Sequence, residues 1–363
     1  MSRELWMKAA ATMTSAGPLP MPVTDTLIEL LKTILSEEEA AFITTFTGPS
    51  MNIEEMKSHC GLDGASLEAM LDGLLHKGAL MVSTSRRSGV DVYRLMPPFP
   101  GLFEYTMMRG ETGDREKRLA VLYEKLFEEL AQMIQANYDS VIELLKTVPP
   151  MTRVVPVECD VDVKMDSVMP CEDAMRIVDK FDVFAVSHCY CRHHKELLGQ
   201  ACKVTNEKVN CLTFGRSARF IIDYGFGKEI TREEAKRILK ECEEAGLVHK
   251  FFHERNDLKR DEFAICNCCK CCCATFDNYY RGMAPMSTYT SHRAAVEGEL
   301  CNGCGVCADM CPMEAMELAA DVARIDDGKC IGCGVCAHHC PSGAITLQRT
   351  GIREVFVPPP RVG

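Results

Sequence analysis

Residues 301–312 read Cys-Asn-Gly-Cys-Gly-Val-Cys-Ala-Asp-Met-Cys-Pro, and residues 330–341 read Cys-Ile-Gly-Cys-Gly-Val-Cys-Ala-His-His-Cys-Pro. The second run repeats the first 29 residues later. Each run sets three cysteines at every third position, Cys301, Cys304 and Cys307 or Cys330, Cys333 and Cys336, and a fourth, Cys311 or Cys340, directly before a proline. A cubane presents four irons at the corners of a tetrahedron, and each iron needs one thiolate. Three cysteines at this spacing wrap a tight loop around one face, so a fourth must come from elsewhere. Gly303, Gly305, Gly332 and Gly334 let the loop backbone approach and aim its N–H groups at sulfur. Zinc takes two CxxC pairs, and two full runs in tandem are hard to explain that way.

The duplicated pattern closely resembles the bacterial-type two-cluster ferredoxins. The resemblance covers residues 295–350 and implies two [4Fe–4S] clusters that move single electrons. In that family the remote cysteine before proline serves the other half. Carried over, Cys301, Cys304, Cys307 and Cys340 hold one cluster, and Cys330, Cys333, Cys336 and Cys311 hold the other. Ala315–Leu318 and Ala344–Leu347 resemble the short returns of the family. His338 and His339 read as exposed loop residues rather than redox tuners.

The chain has 22 cysteines, so fourteen lie outside these runs. In a reducing compartment such a number points to metal ligation rather than to disulfides. Two groups stand out: Cys189-x-Cys191 with Cys202 and Cys211, and the run from Cys266 to Cys273. In an extended chain Cys189 and Cys191 face one side, at the end of an apolar strand around Val183–Val186. Adjacent cysteines of the later run cannot all reach one cube. The candidate ligands are Cys189, Cys191, Cys202, Cys211, Cys268, Cys269, Cys271 and Cys272, for one or two further iron–sulfur clusters, with Arg192, Lys195 and Lys203 offsetting their negative charge. The alternatives are a structural zinc site, redox-inert buried thiols, or a thiol activated beside Arg192 or Lys270. Cys60, Cys159, Cys171 and Cys242 read as ordinary buried residues.

Further upstream, apolar periodicity predicts helices over 24–35, 37–46, 52–59 and 66–77, with an Asn52/Glu55 capping box and Gly78 as a stop. Strands follow at Leu80–Thr84 and Asp91–Leu95. Over residues 24–96 this order resembles the winged-helix family. Its recognition helix would carry Glu68, Asp72, His76 and Lys77, and its wing Arg86 and Arg87. A polyanion asks for more positive charge, so the module is expected to dock a protein rather than DNA.

Asp114–Val148 reads as one amphipathic helix, with Leu119, Leu122, Leu126, Leu130, Ile134, Val141, Leu145 and Val148 on one stripe. Packing on its own domain is the favoured reading of that stripe; a seam for a homodimer or a partner is the other. Thr231 and Glu234 cap a helix that Gly246 closes, and strands at Leu247–Phe252 and Glu262–Cys266 follow.

The expected fold class is α+β and multidomain. Residues 1–110 form the winged-helix-like domain, 111–150 the long helix, 151–290 the cysteine-rich middle domain, and 291–363 the ferredoxin module and tail. The 363 residues carry 47% apolar and 26% charged side chains and a net charge of −11. The charge argues against broad nucleic-acid binding and suits a basic docking patch. No stretch has membrane-span length, and Met1–Pro22 lacks the pattern of a leader, so the cytoplasm is the expected location. The many oxidisable thiols, with 21 methionines, point to an anaerobic host. No nucleotide- or flavin-binding motif occurs. The reading that follows is an electron-transfer subunit serving a larger oxidoreductase. A redox- or iron-sensing regulator and a reductase with its site in the middle domain are the alternatives.

Overall fold

The computed structural model describes residues 3–17, 21–85, 88–156, 174–253, 258 and 262–362. Arg86, Arg87, Cys159 and Cys171 lie outside the described residues. The chain forms two compact units. One comprises Met1–Phe127, His193–Gln200 and Phe220–Gly227; the other comprises Glu128–Arg192, Ala201–Arg219 and Lys228–Gly363. Among the described residues, no helix is long and apolar enough to cross a membrane.

The first unit opens with α1 (Arg3–Ser15), a helix the sequence reading missed although Trp6, Ala9, Ala10 and Met13 fall on one buried face. Next come α2 (Asp25–Ile34), capped by the Thr24 side chain, and α3 (Glu37–Ile43), begun by a Ser36/Glu39 capping box. β1 (Ser50–Asn52) leads into α4 (Ile53–Cys60), where the expected Asn52/Glu55 box has both of its hydrogen bonds. α5 (Gly64–His76) starts on Asp63 and ends before Gly78, which takes φ +69°. β2 (Leu80–Thr84) and β3 (Asp91–Leu95) complete an antiparallel sheet of order β1-β3-β2. After α6 (Phe103–Met107), Arg109 gathers the segment 220–227 onto the end of α5. Its guanidinium donates to the carbonyls of His76, Tyr224 and Gly225 and lies 4.4 Å from the Phe226 ring centre.

The helix expected over 114–148 is two helices, α7 (Asp114–Ala136) and α8 (Tyr138–Leu145). Asn137 breaks it at φ −125°, ψ 29°, with its side-chain amide donating to Met133 O at 3.0 Å. A short amide side chain competes here with the backbone ladder. The C-terminal tail packs at this break. Gln135 Nε2 donates to Gly282 O and Pro360 O, Val362 N donates to Gln135 Oε1, and Tyr138 donates to Pro359 O. The tail is therefore tied to its own unit.

The second unit is built on an eight-stranded sheet. Its strands are β4 (Thr152–Val155), β5 (Phe184–His188), β6 (Val209–Phe214), β7 (Lys228–Ile230), β8 (Val248–His253), β9 (Glu262–Cys268), β10 (Met286–Val296) and β13 (Ile345–Val357). Their order is β13-β10-β4-β8-β9-β6-β5-β7. All neighbours run antiparallel except β4 and β10. α12 (Arg232–Glu244) begins at Thr231 and ends before Gly246, as expected, and buries Ala235, Ile238 and Leu239. β10 and β13 pair from Met286↔Val357 to Val296↔Ile345, with a bulge between Thr290 and His292. Residues 297–344 are thus inserted between two neighbouring strands of one sheet. This edge sheet positions both cysteine runs.

Candidate metal centres

Within the insertion, α14 (Val306–Met310) and α15 (Val335–His338) each follow a glycine in the left-handed region, Gly305 and Gly334. Between them lies the hairpin β11 (Met316–Ala319) and β12 (Val322–Ile325). Each helix is too short to bury much by itself. Its value is to turn the third cysteine of a run inward. Cys330, Cys333, Cys336 and Cys311 line one cavity of about 320 Å³, together with Ala294 of β10 and Leu347 of β13. Cys301, Cys304, Cys307 and Cys340 line a second, of about 290 Å³. Each cavity thus joins three cysteines of one run to the fourth of the other.

Burial raises Cys336 to about 12 and pushes the Cys333 thiol up as well, and nearby Cys311 adds to both. Thiols crowded in this way ionise only beside a cation, as ligation to iron would provide. Ala323 N donates to Cys301 Sγ at 3.4 Å and Ala315 N to Cys311 Sγ at 3.3 Å, the kind of contact that tunes a thiolate-bound metal. Gly332, at φ +65°, lies against β10, where a Cβ would collide with the His292 carbonyl and the Thr290 hydroxyl. Arg353 of β13 donates to Cys330 O at 2.6 Å. His338 is exposed, whereas His339 is half-buried.

The middle cysteines fall into two groups. The first contains six thiols. Cys189 touches Cys191, Cys191 touches Cys273, and Cys273 touches Cys268. Cys211 and Cys266 pair at 3.8 Å, and Cys266 also meets the Tyr190 hydroxyl at 3.5 Å. Cys189 is pulled down to about 7, first by the Cys191 thiol and then, against burial, by the Arg192 charge. Ala274 N donates to Cys191 Sγ at 3.2 Å. Cys191 does not sit in extended chain, as its spacing from Cys189 suggested. It lies in the first turn of α10 (Tyr190–Leu197), which begins directly after β5.

The second group is Cys202, Cys269, Cys271 and Cys272, whose sulfurs all lie within 4.8 Å of one another. The eight candidate thiols are therefore divided four and four, and two not named as candidate ligands, Cys266 and Cys273, join Cys189, Cys191, Cys211 and Cys268 to make the six. Cys266 carried a readable signal, since it and Cys268 lie two apart in a strand and face one side. Nothing local marks Cys273, which reaches Cys191 and Cys268 only because α13 (Ala274–Tyr280) starts there. Cys242 is buried and accepts from Asn210, as an ordinary interior thiol does.

Two buried cations flank the six thiols. Arg192, 3% exposed, donates to Asn210 Oδ1 and Asn267 O, each at 2.8 Å. Lys250, 1% exposed, donates to Thr275 Oγ1 at 2.9 Å and lies 4.1 Å from the Phe276 ring centre. Among the described residues no carboxylate pairs with either, and the Lys250 charge acts on Cys268 and Cys273. A buried cation without a carboxylate calls for a nearby anion. Lys250 was not foreseen, because a lysine inside a strand reads as a solvated position. Lys195, expected to serve the cysteines, instead pairs with Glu124 at 3.3 Å in the first unit. Lys203 contributes its backbone, donating to Cys271 Sγ at 3.3 Å.

Comparison with curated proteins and with solved structures gives no match to this chain. The family model of the 4Fe-4S dicluster domain matches residues 300–344. These residues hold all eight cysteines that line the two cavities, so the insertion between β10 and β13 is similar to a 4Fe-4S dicluster domain.

Proposed function

We propose that this chain is an iron–sulfur electron-transfer protein that relays single electrons to a partner oxidoreductase. The carrying observation is the pair of cavities, each lined by three cysteines of one run and the fourth of the other. Cys301, Cys304, Cys307 and Cys340 hold one cluster; Cys330, Cys333, Cys336 and Cys311 hold the second. A third occupies the six-thiol cradle, drawing its ligands from Cys189, Cys191, Cys211, Cys266, Cys268 and Cys273. When bound, such clusters supply reversible one-electron chemistry. The residues around them donate N–H groups to sulfur and offset negative charge through Arg192 and Lys250.

Cys266, Cys268 and Cys273 pack in the same core as the ferredoxin cysteines, which supports a single relay through the second unit. The strand and helix order of residues 25–95 supports the winged-helix reading. Glu68 and Asp72 are exposed on α5, while Lys77 is paired with Glu39 at 2.6 Å. That face suits a basic protein surface better than a nucleic acid.

Iron and sulfide analysis of anaerobically purified protein, with redox-titrated EPR, tests this reading. About twelve irons per chain are expected from three four-iron clusters. About eight would remove the third cluster. A colourless protein that dithionite does not bleach would overturn the whole proposal. Cys340→Ser should abolish the same EPR signal as Cys301→Ser, although Cys340 lies in the other run.

A further inference from the structure

We propose that Cys202, Cys269, Cys271 and Cys272 hold one tetrahedral zinc ion, separate from the iron–sulfur centres. Their sulfurs are spaced for a single ion. All four lie within 4.8 Å of one another, with Cys202–Cys271 at 3.6 Å and Cys271–Cys272 at 3.5 Å. Four thiolates about 2.3 Å from one zinc stand about 3.8 Å apart along the edges of a tetrahedron. A four-iron cube interposes its own irons and sulfides, and holds its thiolates on the order of 6 Å apart. The same chain supplies the contrast. Among the described residues, neither the ferredoxin cysteines nor the six-thiol cradle contains three ligand atoms packed so closely.

The location supports a structural role. Cys269 and Cys272 belong to the core formed by α12 with β5 and β6, and Cys202 and Cys271 pack against it. Cys266, Cys268 and Cys273 belong instead to the core that contains the ferredoxin cysteines. The run from Cys266 to Cys273 is thus shared between two sites with different surroundings. Cys202 comes from the loop between α10 and β6, and the other three from the loop after β9, so one ion would clip two remote loops together. Four thiolates around a divalent ion leave a net double negative charge. Arg192, facing Cys269 and Cys202, and the Lys203 N–H offset it. Zinc binds such donors more tightly than ferrous iron does, and its closed shell suits a site with no redox duty.

The test uses the full chain purified anaerobically, with zinc and iron counted together and zinc-edge X-ray absorption recorded. About one zinc per chain is expected, with four sulfur neighbours at about 2.3 Å. Cys202→Ser and Cys271→Ser should each lower bound zinc at least about fivefold, through loss of one of four ligands, and leave iron unchanged. Cys242→Ser, which alters a buried thiol outside the group, should keep both metals. Zinc absent from the wild-type protein, or bound through nitrogen or oxygen, overturns the proposal even if the variants fail to fold. So does iron lost with Cys271→Ser, or zinc lost with Cys307→Ser instead. Dithionite bleaching tests the electron-transfer reading separately, because zinc does not respond to it.

Discussion

Lys250 shows how a single residue can reveal a charge balance. Its ammonium is buried beside Cys268 and Cys273 and meets a hydroxyl and an aromatic face rather than a carboxylate. A fixed positive charge favours the reduced, more negative form of a nearby cluster. Lys250→Met should therefore lower the midpoint potential of the cluster proposed for the six-thiol cradle by several tens of millivolts, by Coulomb's law in a partly shielded interior. Redox-titrated EPR measures it. Lys270→Met, which removes a half-exposed partner of Glu314, should leave that potential unchanged. Of this site, the sequence offered Cys189, Cys191, Cys211, Cys268 and Arg192 as candidates, but neither Lys250 nor the division of the thiols into two groups. Which thiol of a dense run joins which group depends on the strand end, the helix start and the remote loop that meet there, so no local spacing encodes it.

A second residue carries a pH signature. Burial raises the Glu104 carboxyl from 4.5 to about 7, against the pull of the Gly101 N–H. Its folded-state pKa lies above the unfolded one, so stability is full below about pH 4.5 and is lost as pH rises through about 7, by at most about 3 kcal/mol. Trp6, the single tryptophan, is buried in the same unit and reports its unfolding. Urea midpoints followed by its fluorescence should fall between pH 5 and pH 7.5, and Glu104→Gln should flatten the fall.

At the scale of elements, the N-terminal unit was the most legible. The Asn52/Glu55 box and the Gly78 stop were read directly, because both act within one turn, whereas the caps at Ser36 and Asp63 were not. The break at Asn137 was not legible, because the apolar stripe continues across it and the tail that packs there lies over 200 residues away. The position of Cys191 failed for the same kind of reason: a spacing of two fits a strand, but α10 had already begun. The bulge in β10 and the loop at Gly332 form one fitted joint. Gly332→Ala should drive a Cβ into the β10 backbone, costing about 1–3 kcal/mol. Iron analysis should then show about four irons lost per chain, those of the cluster proposed for Cys330, Cys333, Cys336 and Cys311.

For the whole molecule, what matters is how the dicluster domain is attached. It leaves from the end of β10 and returns at the start of β13, two strands that pair over most of their length. Arg353 links β13 to the Cys330 loop, and the core between them contains the cysteines themselves. Stripping the clusters should therefore loosen the sheet edge as well as the loops. Hydrogen exchange of residues 286–296 and 345–357 should speed up at least about tenfold in the apoprotein, while β5 and β6 change less. Equal protection with and without iron would show that the edge stands by itself.

An insertion between two zipped strands ties cofactor supply to survival of the polypeptide. A copy starved of iron would fray at its border and offer proteases a loose end.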